Sequence, residues 1–353
     1  MVADQGATAT MEVERLRREL SVSLSRIAEL EKRCEAQSKD LEVSNGFFNL
    51  ADKSSDSDII RALQRLNAEI QQNATYMADS LAQDFEFEDA ATDMTKERTS
   101  LVQRVSGHIG PVLTDALGSS PQDALMFLQI ALQAYLAAVL GQTASAWASD
   151  SVHNLFIDGI YQTLRGAGEQ LNPGICFLFR LTGTKNLSVE AQATSGRWRS
   201  LARLYNVHHG ASHPEPVVER VIVDLSDILL VAGCTTPQSH IMSAIASKFK
   251  ERITLLVTLA GRLGKMFDEV ISSDFEVFLA RPRDGFEGKD MEASDEGQAG
   301  VPQEGSAVLC TTHLGLIKQV PVGTLWEKGE KQQVMVLKAK VLLESFLDTE
   351  DEW

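Results

Sequence analysis

The chain has 353 residues, of which 44% are hydrophobic and 6% aromatic, and its formal net charge is -16. This hydrophobic fraction is enough for a core, so a chain that is disordered throughout is excluded, and the scarcity of aromatic residues favours helices over a β-sandwich. The acidic balance argues against nucleic acid as a partner, because such binding needs a basic surface, and against attachment to anionic lipid by charge alone.

Residues 12–44 are predicted to form a coiled coil that follows a disordered N-terminus over residues 1–11. A seven-residue repeat places most of its a and d positions on one apolar stripe: Val13, Leu16, Leu20, Ile27, Leu30, Cys34 and Leu41. Such a stripe has to be covered by another helix. Ser23 and Gln37 occupy two further d positions and weaken the seam.

The charges beside this stripe favour a parallel pair of helices. Glu12 would face Arg17 of the partner, and Arg26 would face Glu31. We therefore predict a protein partner, with a homodimer through residues 12–42 as the favoured arrangement. A partner of different sequence and a helix that folds back antiparallel on the body are the alternatives.

Residues 56–281 are predicted to form an all-helical body. Apolar side chains recur at steps of three and four in its first helix: Ile59, Leu63, Leu66, Ile70, Ala74, Met77 and Leu81. The acidic segment 84–93 follows, and we expect its Phe85 and Phe87 to lie beneath a solvated helix end, a docking site for a basic partner being the alternative. The run 239–282 predicts one long helix or two, with a bend at Gly261 and Gly264.

The run from Ala124 to Leu140 is apolar enough to raise the question of a membrane span. Gln129 and Gln133 interrupt it, and the uninterrupted stretches are well short of the roughly 20 residues that a span requires. We therefore predict a buried central helix and no membrane association.

A disordered acidic linker is predicted over residues 282–306, which are rich in Gly, Asp and Glu and almost free of large apolar residues. In the C-terminal segment 307–353, residues 307–320 and 332–346 are rich in β-branched residues and favour two paired strands, the second also fitting a helix. The predicted fold class is all-α: an N-terminal coiled coil, a multi-helix body and a small C-terminal element for which two strands are an option.

The cysteines indicate a reducing compartment. The chain has Cys34, Cys176, Cys234 and Cys310, far apart and without a CxxC pair. This usage is typical of reduced thiols in an intracellular protein. The N-terminal residues lack the apolar core of a secretion signal. We expect a cytoplasmic protein that is not secreted, with the nucleus left open.

Three histidines in the segment 206–216, His208, His209 and His213, suggest a metal site. Structural zinc requires four ligands in tetrahedral geometry, usually from two short ligand pairs. His208 and His209 are adjacent, so in a regular helix or strand they point in different directions, and the neighbouring glycine and prolines mark a turn. We predict a turn between helices, with neither a metal nor a cofactor.

Two groups of charged residues are further candidates for chemistry. Arg197, Arg199 and Arg203 surround Trp198, and guanidinium groups bind phosphate through paired hydrogen bonds, so an anion or phospho-ligand site is one interpretation. The favoured interpretation is that they neutralise acidic helices. Asp224 and Asp227 lie one helical turn apart, but without Glu-x-x-His partners they are predicted to be the polar edge of a buried helix. No catalytic motif is found.

Two segments carry a resemblance. "DIIRALQRLNAEIQQNATYMADSL" (58–81), together with the late "VLCTTHLGLIK" (308–318) and "VMVLKAKVLLES" (334–345), resembles a set of uncharacterised helical proteins of mushroom-forming fungi. The resemblance implies a short coiled coil ahead of a helical body and a small C-terminal segment. None of these segments carries chemistry, so the resemblance implies no activity, ligand or site.

The sequence thus predicts a non-enzymatic interaction or scaffold protein that pairs through residues 12–42 and presents its body to another protein. The alternative is an enzyme or a small-ligand or phospho-ligand binder with a pocket between body helices. That alternative requires the arginine cluster and the histidine turn to converge on one cavity.

Overall fold

A computed structural model describes residues 15, 20, 22–27, 29–33, 54–88, 96–119, 124–146, 214–270, 273–294, 302–321 and 331–348. The chain divides into two compact units, Met1–Ala51 and Asp52–Trp353. In the second unit the helices are α1 (Asp56–Asp84), α2 (Lys96–Ile109), α3 (Pro111–Ser119), α4 (Ala124–Ser145), α5 (Glu215–Val231), α6 (Gln238–Asp268) and α7 (Ser345–Asp348). The strands are β1 (Asp274–Phe278), β2 (Met291–Ala293), β3 (Val308–His313), β4 (Gly315–Pro321), β5 (Lys331–Leu337) and β6 (Ala339–Leu343).

Helix α1 begins with a capping box. The Asp58 backbone N–H donates to the Ser55 hydroxyl (3.2 Å), and the Ser55 backbone N–H donates to the Asp58 carboxylate (3.4 Å). These bonds satisfy donors that the first turn of a helix leaves without partners. The apolar positions predicted from Ile59 to Leu81 are all buried, which confirms the predicted inward face.

Helix α4 is the centre of the body. It packs against α1, α2, α3, α5 and α6, and also against β1 and β3. In the described part of the chain it is the one helix long and apolar enough to cross a membrane, and 72% of that window is buried inside the protein. The prediction of a buried helix over this run is confirmed.

The end of α1 is joined to the end of α5. The Glu88 N–H donates to the Gly233 carbonyl (3.1 Å), and Phe85 and Phe87 pack against the core, as expected for rings beneath a solvated helix end. Gly233 has φ +95°, and a Cβ there would lie 2.1 Å from the Glu88 carbonyl oxygen. Only glycine fits at this close approach.

The strands form two three-stranded sheets. One has the order β1-β4-β5 and is antiparallel throughout. The other has the order β2-β6-β3, in which β6 is antiparallel to β3 and parallel to β2. A Cβ at Gly315, the first residue of β4, would lie 2.8 Å from the Ala339 nitrogen at the start of β6, so the two sheets come into close contact there.

Two buried amide side chains join the strands to the helices. Asn67 of α1 donates to the Leu314 carbonyl (3.0 Å) and accepts from the Leu314 N–H (2.9 Å). Gln133 of α4 donates to the Thr312 carbonyl (3.2 Å). Buried backbone groups need such partners. Leu314 and Leu316 also belong to the same hydrophobic core as the helices, so helices and strands share one core.

The all-α prediction is wrong, because the protein is largely helical but also contains these two sheets. The described residues of the C-terminal segment form four strands, β3 to β6, and the helical alternative for residues 332–346 applies only at α7. β1 lies within residues 56–281, which were predicted to be helical throughout. Its first four residues alternate between acidic and apolar side chains, and β4 supplies the hydrogen-bonding partner from a distant part of the chain. Helix α6 runs unbroken through Gly261 and Gly264, so of the two alternatives the single long helix is found, and it ends at Asp268.

The prediction of a disordered linker over residues 282–306 is wrong for the described parts, 282–294 and 302–306. Phe286 and Met291 are buried beside Val308 and Val341 in a small second hydrophobic cluster. Phe286 also exchanges backbone hydrogen bonds with residues 305 and 306, at 2.9 and 2.8 Å. The average composition of the segment does not reveal these two apolar anchors.

Candidate functional site

The first candidate is the N-terminal helix, whose described residues are all exposed. Leu20, Ile27 and Leu30 are helical, with exposed fractions of 61%, 51% and 53%. They occupy two a positions and one d position of the predicted seam. The described part of the seam is therefore open to solvent in a single chain.

The apolar stripe of this helix extends farther on one side of the seam than on the other. Leu24, at the neighbouring e position, is 56% exposed and widens the apolar stripe. Glu29 and Arg33 form an ion pair at 3.5 Å along the outer surface, the i, i+4 spacing that supports an isolated helix. Val22, at a c position away from the seam, is also exposed. The remaining predicted seam residues lie outside the described residues: Val13, Leu16, Cys34 and Leu41.

The second candidate is a cluster of polar side chains where α2, α4, α5 and α6 meet. Asp227 of α5 is almost fully buried and accepts two hydrogen bonds from Arg104, from Nε at 3.0 Å and Nη2 at 2.9 Å. Its other oxygen accepts from Gln238 Nε2 at 2.7 Å. One turn earlier, Asp224 accepts from the Tyr135 hydroxyl at 2.7 Å.

Burial determines the protonation of Tyr135 in this cluster. Burial, reinforced by the neighbouring Asp224 carboxylate, raises the pKa of Tyr135 far above its usual value, so the phenol stays a hydrogen-bond donor. His108 Nε2 lies 3.9 Å from the same Asp224 oxygen, and its ring meets Tyr135 edge-on with centroids 5.5 Å apart. The side chain of Asp224, the neutral phenol of Tyr135 and the imidazole of His108 thus lie next to one another in space.

The geometry favours a structural role for these side chains. Both oxygens of Asp227 are occupied by protein partners, and Arg104 neutralises its buried charge. Among the described residues no group of three His, Cys, Asp or Glu side chains is placed to hold a metal ion. Asp224 is partly exposed and lies on the polar edge of a mostly buried helix, as predicted, whereas Asp227 is buried. Local spacing does not reveal Arg104 and Tyr135, which are 123 and 89 residues away from their partners.

The sequence-predicted arginine and histidine candidates lie outside the described residues. These are Arg197, Arg199 and Arg203, and His208, His209 and His213. The anion-site interpretation and the turn interpretation therefore stay predictions.

Two cysteines are described, and both are buried. Burial raises the pKa of Cys310 to about 12, so its thiol is protonated and unreactive near neutral pH. Cys234 lies 6% exposed at the end of α5. These two positions behave as core residues.

Comparison of the chain with models of protein families, with curated protein sequences and with solved structures finds no match in any of the three. The resemblance to helical proteins of mushroom-forming fungi stays a prediction.

Proposed function

We propose that this chain is a non-enzymatic interaction or scaffold protein that associates through its N-terminal helix, with a second copy of itself as the partner. The observation that supports this is the open seam. Leu20, Ile27 and Leu30 are at least half exposed, whereas Leu63 and Ile70 in the body have no exposure. Covering a leucine or isoleucine side chain contributes about 1.5–3 kcal/mol, so a partner helix gains most by binding this stripe.

The flanking charges support a second copy in parallel orientation. In a parallel in-register pair, Arg26 of one helix faces Glu31 of the other, and Glu12 faces Arg17. Each pair occurs twice because the arrangement is symmetric. Like charges do not meet at these positions.

The polar core positions support the same orientation. In register, Ser23 faces Ser23 of the second copy, and the polar groups share one layer. An antiparallel pair would place Ser23 against an a position, most of which are apolar here. These polar layers lower the affinity but specify the alignment, so we expect a dimer of modest strength that dissociates on dilution.

The test is the mass of the full chain by light scattering behind size exclusion. Ile27→Glu places a carboxylate at the centre of the seam, where two copies would repel each other and stay buried without partners, and it should yield a monomer. Val22→Glu is the matched control, because Val22 is 68% exposed on the same helix but lies off the seam, and it should leave the dimer intact. A wild-type monomer at every concentration, or equal effects of the two variants, would contradict the proposal.

Disulfide cross-linking through Cys34 tests whether the two helices are parallel. It occupies an a position, so in a parallel in-register pair the two thiols face each other across the seam. Mild oxidation should produce a covalent dimer that Cys34→Ser abolishes. A dimer by light scattering that gives no such cross-link would refute the parallel register.

A further inference from the structure

Three of the four outer strands in the described sheets are protected against pairing with another chain. β2 has only three residues. β1 has five residues, carries the partly exposed Glu276, and contacts α4 and α6. Short strands, charges and covering helices are the usual means by which proteins prevent edge-to-edge association.

The outer edge of β3 is covered by the chain itself. The Arg283 N–H donates to the Val308 carbonyl (2.7 Å), and the Val308 N–H donates to the Asp284 carbonyl (2.9 Å). Farther along, the Thr311 hydroxyl donates to the Ala280 carbonyl (3.0 Å). Residues 280–284 therefore occupy this edge.

β5 has none of these protections. It is seven residues long and, among the described strands, pairs with β4 alone. Its sequence, Lys331-Gln-Gln-Val-Met-Val-Leu337, contains no proline and no acidic residue, and its one charge is at the first position. Residues 332–334 are exposed, and Val334 is 41% exposed. A long, apolar strand with an open side is a template for another strand.

We propose that the β5 edges of two copies of this chain pair antiparallel about a two-fold axis at Val334, which joins their sheets into one continuous sheet. A second copy fits because β5 is the one open edge among the described strands, so copies can meet edge to edge only through β5 itself. Such an isologous contact closes on itself and does not polymerise.

The side chains of β5 are compatible with this register. Val334 faces Val334 of the second copy, a cross-strand pair of β-branched residues that stabilises sheets. Gln333 faces Met335, and Gln332 faces Val336. No like charges are directly opposed, and the acidic residues that give the chain its net charge of -16 are absent from this edge.

This inference rests on the proposed function, because the strand contact is small. Seven residues at about 3.4 Å each form a strand pair about 24 Å long, and a contact only one strand wide buries less than the roughly 1,000 Å² that a stable interface needs. Connecting two weak modules raises their effective concentration to the order of millimolar. In the proposed dimer, the coiled coil therefore raises the effective concentration of one β5 strand at the other.

The test is disulfide cross-linking of the full chain in a Cys34→Ser background. Residues directly opposed in an antiparallel pair have Cα atoms about 4.5–5.5 Å apart, within disulfide range. After mild oxidation, Val334→Cys should yield a covalent dimer. Leu255→Cys is the matched control, since Leu255 on α6 has a similar exposure of 45%. We expect at least about tenfold more dimer from Val334→Cys, and a return to the control level when Ile27→Glu is added.

Light scattering on the same samples separates the two ways of failing. A dimer by mass whose thiol at position 334 cross-links no better than the Leu255→Cys control overturns the β5 pairing and leaves the coiled coil standing. A monomer by mass with no cross-link overturns both. Hydrogen exchange adds an internal check: if the amides of residues 332–336 are equally protected in the Ile27→Glu monomer, the edge is covered within the chain and the inference is wrong.

Discussion

Asn67 connects the helical body to the C-terminal strands, and replacing it by alanine measures what that connection contributes to stability. Its amide donates to the Leu314 carbonyl at 3.0 Å and accepts from the Leu314 N–H at 2.9 Å. Leu314 has no exposed surface, and Asn67 is 5% exposed. Water has little access to either backbone group, so the side chain is their hydrogen-bonding partner.

The size of the effect follows from this burial. Asn67→Ala leaves one buried N–H and one buried C=O without partners, and each such group costs about 1–3 kcal/mol. We expect the free energy of unfolding to fall by about 2–6 kcal/mol, and the small cavity left by the amide adds to this loss. This is a large part of the roughly 5–15 kcal/mol that stabilises a typical domain.

The assay is urea unfolding followed by far-ultraviolet circular dichroism. The slope of the unfolding free energy against urea concentration (the m-value) should be unchanged, so that the shift in the urea midpoint reports a change in stability alone. Gln64→Ala is the control, because Gln64 is exposed on the same helix and its loss should change stability by less than about 0.5 kcal/mol. A loss for Asn67→Ala no larger than that control would refute the role given to this amide.

Three further substitutions test other parts of the fold. Gly233→Ala forces a side chain into a backbone with φ +95° and against the Glu88 carbonyl. It should lower the free energy of unfolding by more than about 1–3 kcal/mol, which is measured as a lower thermal midpoint. Arg104→Ala removes the cation beside buried Asp227 and should cost about 1–3 kcal/mol in urea unfolding. Burial, with the nearby positive charge of Lys340, lowers the pKa of His313 below 6.5. The unfolded chain then binds a proton that the folded chain does not, so stability should fall as the pH drops below 6.5, and His313→Gln should reduce that fall.

Each of these has its own control. Gly261→Ala, where a new Cβ meets nothing within 4 Å in a helix, should be neutral or stabilise by up to about 1 kcal/mol; an equal loss at Gly233 and Gly261 would remove the strain argument. Arg104→Lys keeps the charge without the paired hydrogen bonds and should recover part of the stability. Identical pH profiles for the wild type and His313→Gln would show that this imidazole is not responsible for the acid sensitivity.

Much of the helical body could be predicted because helix periodicity is local. The steps of three and four from Ile59 to Leu81 mark the buried face of α1, and the apolar run from Ala124 marks α4 as the core helix. Phe85 and Phe87 were also expected to pack inward, because aromatic rings in an acidic segment have few other ways to avoid water. In each case the signal lies within one or two turns of the residue concerned.

The strands and the polar cluster could not be predicted in this way, because the residues that pair in them are far apart in the sequence. β1 was predicted to be helical, although Asp274–Val277 alternate between acidic and apolar residues, because a four-residue alternation decides nothing until a partner strand is present. Two large apolar residues, Phe286 and Met291, are too few to indicate an ordered segment when the rest of its composition predicts disorder. Arg104 and Tyr135 carry no local mark of their bonds to α5.

What the sequence by itself determined is which side of α1 faces inward, that α4 is a core helix and where the N-terminal stripe lies, since hydrophobic spacing acts over a few residues. The tertiary structure alone decided which strands pair, which edge stays open and which polar groups meet. Asn67 and Leu314 are separated by 247 residues, and hydrogen bonds between such distant groups form only once the chain has closed the long loop between them and excluded water from both.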